Sequence, residues 1–196
     1  MGTLIGSSDW TSGGQNTWAG DDGWLDVTLP WDFTWYGANE NVITIGTNGV
    51  LTFGEPQYRF GGSEPVPCHG NSMCSDNSAH GIGMDGVIAV MWTDLNPAEV
   101  TDCPQTHHCT GGGNVFYQIS DERMVIEYAK VQSWSWNNQY GLSDPGQTFE
   151  VILWRNGDVL MQYLDMYCEH CSTAWSTVSI GFEDQEGLRG QVRPAL

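Results

Sequence analysis

Apolar and polar positions alternate with a period of two along much of the chain, and three stretches fold that alternation into hairpins. In the first, Ile43 and Ile45 point one way, Thr47-Asn48-Gly49 turns, and Leu51 and Phe53 return, with Asn-Gly supplying the positive φ of the turn. The second pairs Asn114 to Ser120 with Met124 to Val131 around Asp121-Glu122-Arg123. The third pairs Thr148 to Trp154 with Val159 to Asp165 around Arg155-Asn156-Gly157-Asp158. There Phe149, Val151 and Leu153 alternate with Glu150, Ile152 and Trp154. Trp24 to Tyr36 reads as two short strands or one bent at Pro30, which cannot donate to a ladder. Val87 to Leu95, apolar as far as Trp92, reads as a largely buried strand. Ser176 to Glu183 reads as the closing strand.

No window carries apolar residues at helical spacing with caps. About nine short strands joined by hairpins and long loops predict an all-β domain, a two-sheet antiparallel β-sandwich with long disulfide-bearing loops. Residues 1–22, rich in Gly, Ser, Thr and Asn, read as a flexible lead-in. Residues 23–187 read as the single sandwich domain and 188–196 as a tail. Strand parity adds a spatial expectation, because connections in an antiparallel sandwich alternate between its two ends. The Asn48-Gly49 turn and loops 96–113, 132–147 and 166–175 then share one end. Loop 54–86 and the turns at 121–123 and 155–158 share the other.

Charge narrows the partners. Six Lys+Arg against 24 Asp+Glu give a net charge of −18, and Lys130 is the only lysine. Phosphate backbones and anionic lipid are bound through Lys/Arg clusters, so neither nucleic acid nor a membrane surface suits this chain. No apolar stretch approaches the roughly 18 residues of a membrane span, so membrane insertion is not expected, and no export signal is visible in the sequence. An extracellular protein, a glycan or self-assembly remains.

The six cysteines fall into three close-spaced sets, Cys68 with Cys74, Cys103 with Cys109, and Cys168 with Cys171, all in polar loops. An even count of this kind reads as an extracellular disulfide set, local pairing being one of 15 arrangements open to six cysteines. The histidines crowd the same loops: His107 and His108 lie inside the second spacing and His170 inside the third. With reduced thiols these residues would suit zinc or copper. Only one Cys-x-x-Cys exists, however, and a double Cys-x-x-Cys zinc site needs two, so disulfides are the preferred reading. Asp94, Asn96, Glu99 and Asp102 offer hard oxygen ligands for a structural Ca²⁺ without following an EF-hand pattern, and a solvated acidic loop accounts for them as well. No cofactor is required by anything else in the chain.

The search for catalytic chemistry finds no Gly-x-Ser-x-Gly, no His-Glu-x-x-His and no phosphate-cradling glycine loop, so an enzyme is not expected. The best ligand-contact stretch is Ser133 to Tyr140. Trp134, Trp136, Asn137 and Tyr140 could stack on sugar rings and hydrogen-bond their hydroxyls without positive charge. The plainer alternative is that both tryptophans cover a sheet edge.

Five segments carry a resemblance. These are Leu29-Pro30-Trp31-Asp32-Phe33-Thr34-Trp35-Tyr36-Gly37, Val42 to Gly54, and Ile88-Ala89-Val90-Met91-Trp92-Thr93-Asp94-Leu95-Asn96, followed by Thr148 to Asp158 and Ser179-Ile180-Gly181-Phe182-Glu183. In this order they resemble the nidogen-like extracellular domains and a related β-rich module of bacterial secreted proteins. The resemblance implies a secreted or cell-surface, non-catalytic module of adhesion or matrix proteins. The Cys-bearing insertions lie outside the shared pattern.

Overall fold

A computed structural model describes residues 2–6, 9–12, 23–53, 86–97, 112–133, 145–166, 178–186 and 189–193. Among them every regular element is a strand: β1 (Thr3–Ile5), β2 (Thr11–Ser12), β3 (Gly23–Trp35), β4 (Ala38–Gly46), β5 (Val50–Phe53), β6 (Val87–Trp92), β7 (Leu95–Asn96), β8 (Asn114–Ile119), β9 (Arg123–Ser133), β10 (Gln147–Trp154), β11 (Val159–Asp165), β12 (Ser179–Glu183) and β13 (Gly190–Arg193). They form a six-stranded sheet ordered β1-β8-β9-β10-β11, with β7 extending it against β9, and a seven-stranded sheet ordered β13-β12-β6-β5-β4-β3-β2. Every pairing is antiparallel. The two-sheet all-β arrangement expected from the alternation is therefore the one adopted.

The three hairpins are present, and the stretch around Pro30 is one bent strand. β3 pairs with β4 from Trp24 to Thr28 and again from Phe33 to Trp35, and the ladder lapses between. Proline has no N–H to give, so the lapse sits where the sequence puts it. The count of strands exceeds nine because both ends of the chain contribute and because the run read as one strand, Val87 to Leu95, is divided between β6 in one sheet and β7 in the other. Residues 1–22, read as a lead-in, supply β1 on β8 and β2 on β3, and bury Ile5 and Trp10 in the core. The stretch read as a tail supplies β13 on β12. β1 and β2, close in sequence, thus occupy an edge of each sheet.

Between the sheets lies one core, in which Phe33, Ile43, Ile45, Leu51, Ile88, Met124, Ile126, Tyr128 and Phe149 are essentially free of solvent. Phe33, Trp35 and Phe53 stack in a chain, with Phe182 edge-on to Trp35 at 5.8 Å. Strand β6 is buried along its whole length, as its continuous apolar run predicts. The amides of Val90 and Met91 both donate to the Gly49 carbonyl, at 3.0 and 3.2 Å. Two donors on one acceptor make a β-bulge, and a bulge exchanges the faces beyond it. Ile88, Val90 and Met91 consequently face the main core, whereas Val87, Ala89 and Trp92 join Trp24 and Val50 in a second apolar cluster on the reverse of the sheet.

Candidate functional site

The loop connections sort by end. Ser12 pairs with Gly23, Leu95 with Ser133, Gln147 with Val131, Asp165 with Thr148, and Ser179 with Trp92. The Gly112 amide donates to the Asn96 carbonyl at 2.8 Å. These residues are the roots of segments 13–22, 98–111, 134–144 and 167–177, and all lie at the end of the sandwich that carries the Thr47-Asn48-Gly49 turn. We call it the loop end. At the other, the turn end, Trp31 Nε1 donates to the Ser120 carbonyl at 2.8 Å and the Gly86 amide to the Asp184 carbonyl at 2.7 Å. The parity expectation holds for every described root, and 13–22 joins the loop end unforeseen.

The loop end is organised by a turn whose sequence reads as a simple hairpin. Thr47, Asn48 and Gly49 are all buried. Thr47 donates its amide to the Gly23 carbonyl at 3.0 Å and accepts the Gly23 amide on Oγ1 at 3.1 Å, which fixes the start of β3. Asn48 accepts the Leu95 amide on Oδ1 at 2.7 Å and the Thr93 amide on its carbonyl at 3.2 Å. Those two bonds hold the crossover from β6 in one sheet to β7 in the other. The Asn-Gly pair predicts that Asn48 helps supply a left-handed turn. Only Gly49 does so, with φ of 72°, and the Asn48 side chain instead replaces a backbone acceptor for Leu95.

Two tyrosines tie the sheets together here. Tyr128 is fully buried, stacks on Phe149 at 4.6 Å, and donates its hydroxyl to the Gly46 carbonyl at 2.6 Å. Burial pushes its phenol well above the usual tyrosine value. Tyr163 donates to the Val90 carbonyl, also at 2.6 Å.

A third local device bends β9. Lys130 has φ of 54°, in the left-handed region, and its carbonyl is approached by Gly113 and Gly146, both with positive φ. The β9–β10 register slips by one residue at this point. The Lys130 side chain is exposed at the loop end. A non-glycine residue in this conformation costs roughly 1–2 kcal/mol. Lys130→Gly is therefore expected to raise stability by about 1 kcal/mol, the strain relieved being partly offset by the unfolded-state freedom of glycine, while Lys130→Val lowers it. Chemical denaturation of the three proteins side by side checks the order, and a Lys130→Gly protein less stable than wild type would show that the bulge is not strained.

Of the residues singled out in the sequence, Asp94 and Asn96 are described. Asn96 is buried in β7 and Asp94 half-buried beside it. Glu99 and Asp102 of the candidate Ca²⁺ set lie outside the described residues. So do Trp134, Trp136, Asn137, Tyr140, the six cysteines, His107, His108 and His170. Among the described residues no three His, Cys, Asp or Glu side chains are grouped to hold a metal. Sequence reasoning missed two buried polar atoms on the reverse of the seven-stranded sheet, Thr52 Oγ1 and Trp92 Nε1, which have no hydrogen-bond partner among the described residues. Trp92 sits at the loop end, against Ser179. No periodicity signals such atoms, since Trp92 reaches that face only through the bulge.

A family model described as NIDO related matches residues 6–194, which takes in β2 to β13 and leaves out β1. The chain belongs to the NIDO-related family. The resemblance carried by Leu29 to Gly37, Val42 to Gly54 and Ile88 to Asn96 is thereby borne out, and the matched span includes the Cys-bearing insertions. No curated protein and no solved structure matches this nidogen-related chain. The nidogen-related family is a non-enzymatic, extracellular type of module. Among the described residues, this member has no helix long and apolar enough to cross a membrane.

Proposed function

We propose that this nidogen-related chain is a non-catalytic adhesion or structural module that engages an extracellular protein partner through its loop end. The observation that carries the reading is the common rooting of segments 13–22, 98–111, 134–144 and 167–177 on one end of a two-sheet frame. Long connections cost entropy to order and are usually kept for recognition; the loop end gathers four of them, while the opposite end roots one, 54–85, beside short turns at 121–122 and 155–157. The acidic surface favours a partner that presents basic or neutral groups.

A second reading, glycan binding by Trp134, Trp136, Asn137 and Tyr140, is favoured by one observation. The stretch begins immediately after Ser133, whose pairing with Leu95 roots it at the loop end. One set of variants tests both. Trp134→Ala/Trp136→Ala is expected to weaken capture of surface proteins from the source organism at least about tenfold. A turn-end control, Glu122→Ala/Asn156→Ala, is expected to stay within about twofold of wild type. Loss confined to the turn-end variant would overturn the assignment. A glycan array positive for wild type and negative for the tryptophan variant would select the sugar reading over the protein one.

A further inference from the structure

The outer faces of the two sheets differ. On the reverse of the seven-stranded sheet Val50, Val87 and Ala89 are fully buried, whereas the outer face of the six-stranded sheet is open to solvent. On that sheet Met124, Ile126, Tyr128, Val151 and Leu153 turn to the core, so the residues alternating with them point away. Register sets those residues in two adjoining rows. One runs Leu4, Phe116, Glu127, Glu150, Gln162 from β1 to β11. The other runs Gln118, Val125, Ile152, Leu160 from β8 to β11. The rows lie two residues apart along each strand, about 7 Å. Leu4 is 49% exposed and Leu160 42%, and Phe116 and Val125 are half-buried beside them.

The centre of this face carries a conflict. Glu127 and Glu150 stand directly opposite each other on neighbouring strands, and like charges so placed weaken a sheet. The two cations of β9, Arg123 and Lys130, lie four and three residues from Glu127, about 10 Å or more along the strand, too far to neutralise the pair. Gln162 donates Nε2 to Glu150 Oε1 at 2.5 Å, which orients one carboxylate without adding charge. Local conflicts of this kind are expected where a surface is kept for a partner. We propose that this face docks an extended segment of a protein partner, with an arginine between Glu127 and Glu150 and an apolar side chain two positions along.

A guanidinium is planar and carries five donors, so it can bond two carboxylates set about 5 Å apart. Phe116, next to Glu127 in the same row, offers a ring for its face. Alternate residues of an extended segment are spaced by the same 7 Å or so that separates the rows, so the apolar side chain lands on Val125, Ile152 and Leu160. A second copy of this chain suits the face poorly: packed face to face it would bring four glutamates together between molecules of net charge −18. The face lies on the sheet and not at the loop end, and its test uses the purified full chain with a synthetic probe, so either proposal can fail without the other.

The probe is a cyclic β-hairpin peptide presenting arginine and valine two positions apart on one face, its closure lowering the entropy lost on binding. Titrated into isotope-labelled protein, it should bind with a dissociation constant on the order of 1 mM or tighter and shift the amides of Phe116, Glu127, Glu150 and Leu160. The same hairpin with glutamate in place of arginine should bind at least about tenfold more weakly, and affinity should fall as salt rises toward about 1 M. Glu127→Gln/Glu150→Gln should lower affinity for the arginine hairpin by about tenfold while the unfolding midpoint stays at or above wild type, because the like-charge contact is gone. No amide shifts up to about 5 mM probe would overturn the proposal, as would equal binding of the two hairpins or shifts confined to the loop end. A double variant that binds as wild type does, or that unfolds more easily, would also overturn it, since the glutamates would then be idle or structural.

Discussion

Gly49→Ala is expected to cost at least about 3 kcal/mol and to leave little folded protein, whereas Gly37→Ala should cost only about 1 kcal/mol. Both glycines have positive φ, 72° and 95°, so an alanine at either meets the same backbone strain. Their surroundings differ. A Cβ on Gly49 would stand 2.3 Å from the Met91 carbonyl oxygen and 2.9 Å from its carbon, and backbone at that distance must move. A Cβ on Gly37 meets nothing within 4 Å. The displaced carbonyl belongs to the β6 bulge, whose two amides bond back to Gly49, so the clash also opens the bonds that set the faces of Met91 and Trp92. Urea unfolding of the pair isolates the contact from the strain. Equal losses at the two positions would mean that the close approach at Met91 contributes nothing.

Tyr128 carries the second large effect. Tyr128→Ala removes a fully buried ring stacked on Phe149 and is expected to cost about 3–5 kcal/mol. Tyr128→Phe keeps the ring and deletes only the hydroxyl, which leaves the Gly46 carbonyl without that donor in a buried position, at a cost of about 1–3 kcal/mol. The same group sets an alkaline limit. The folded state keeps this phenol protonated above pH 10.0, the value at which an ordinary tyrosine ionises. Above that pH the unfolded chain binds fewer protons than the folded one, so stability is level below it and falls as pH rises beyond it. Tyr128→Phe should flatten that fall. Unfolding curves from pH 8 to pH 12 test it, and an identical alkaline slope in both proteins would assign the fall to other groups.

Sequence pattern made the sheets legible wherever alternation ran for five residues or more. The hairpins β4–β5, β8–β9 and β10–β11 follow their periodicity closely, because one face of each must meet the core. What escaped was stabilised from elsewhere. Strands β1, β2 and β13 have two to four residues among glycines and small polar side chains, and pair only because long neighbours offer a ladder. The bulge at Val90 and Met91 left no mark, since residues 87–92 are apolar on both faces and a one-residue shift changes no hydropathy. Asn48 was recognisable as a turn residue but not as the acceptor for Leu95, a partner 47 positions away. Parity, by contrast, located the loop end before any coordinate did, because it depends only on strand count between described roots.

Lys130 brings a practical consequence for anyone who handles the protein. Its side chain is the only ε-amine in the chain, and the left-handed bulge presents it to solvent at the loop end. Amine-directed coupling to a sensor surface would tether the molecule at that end, or at the N-terminus, and turn the proposed partner face toward the support. A fluorophore attached the same way would instead report from within that face. The 24 carboxylates offer the complementary chemistry, spread widely enough to immobilise the domain in many orientations. The same bulge that strains β9 thus gives the domain its one side-chain amine handle, placed where a tether does most harm and a probe most good.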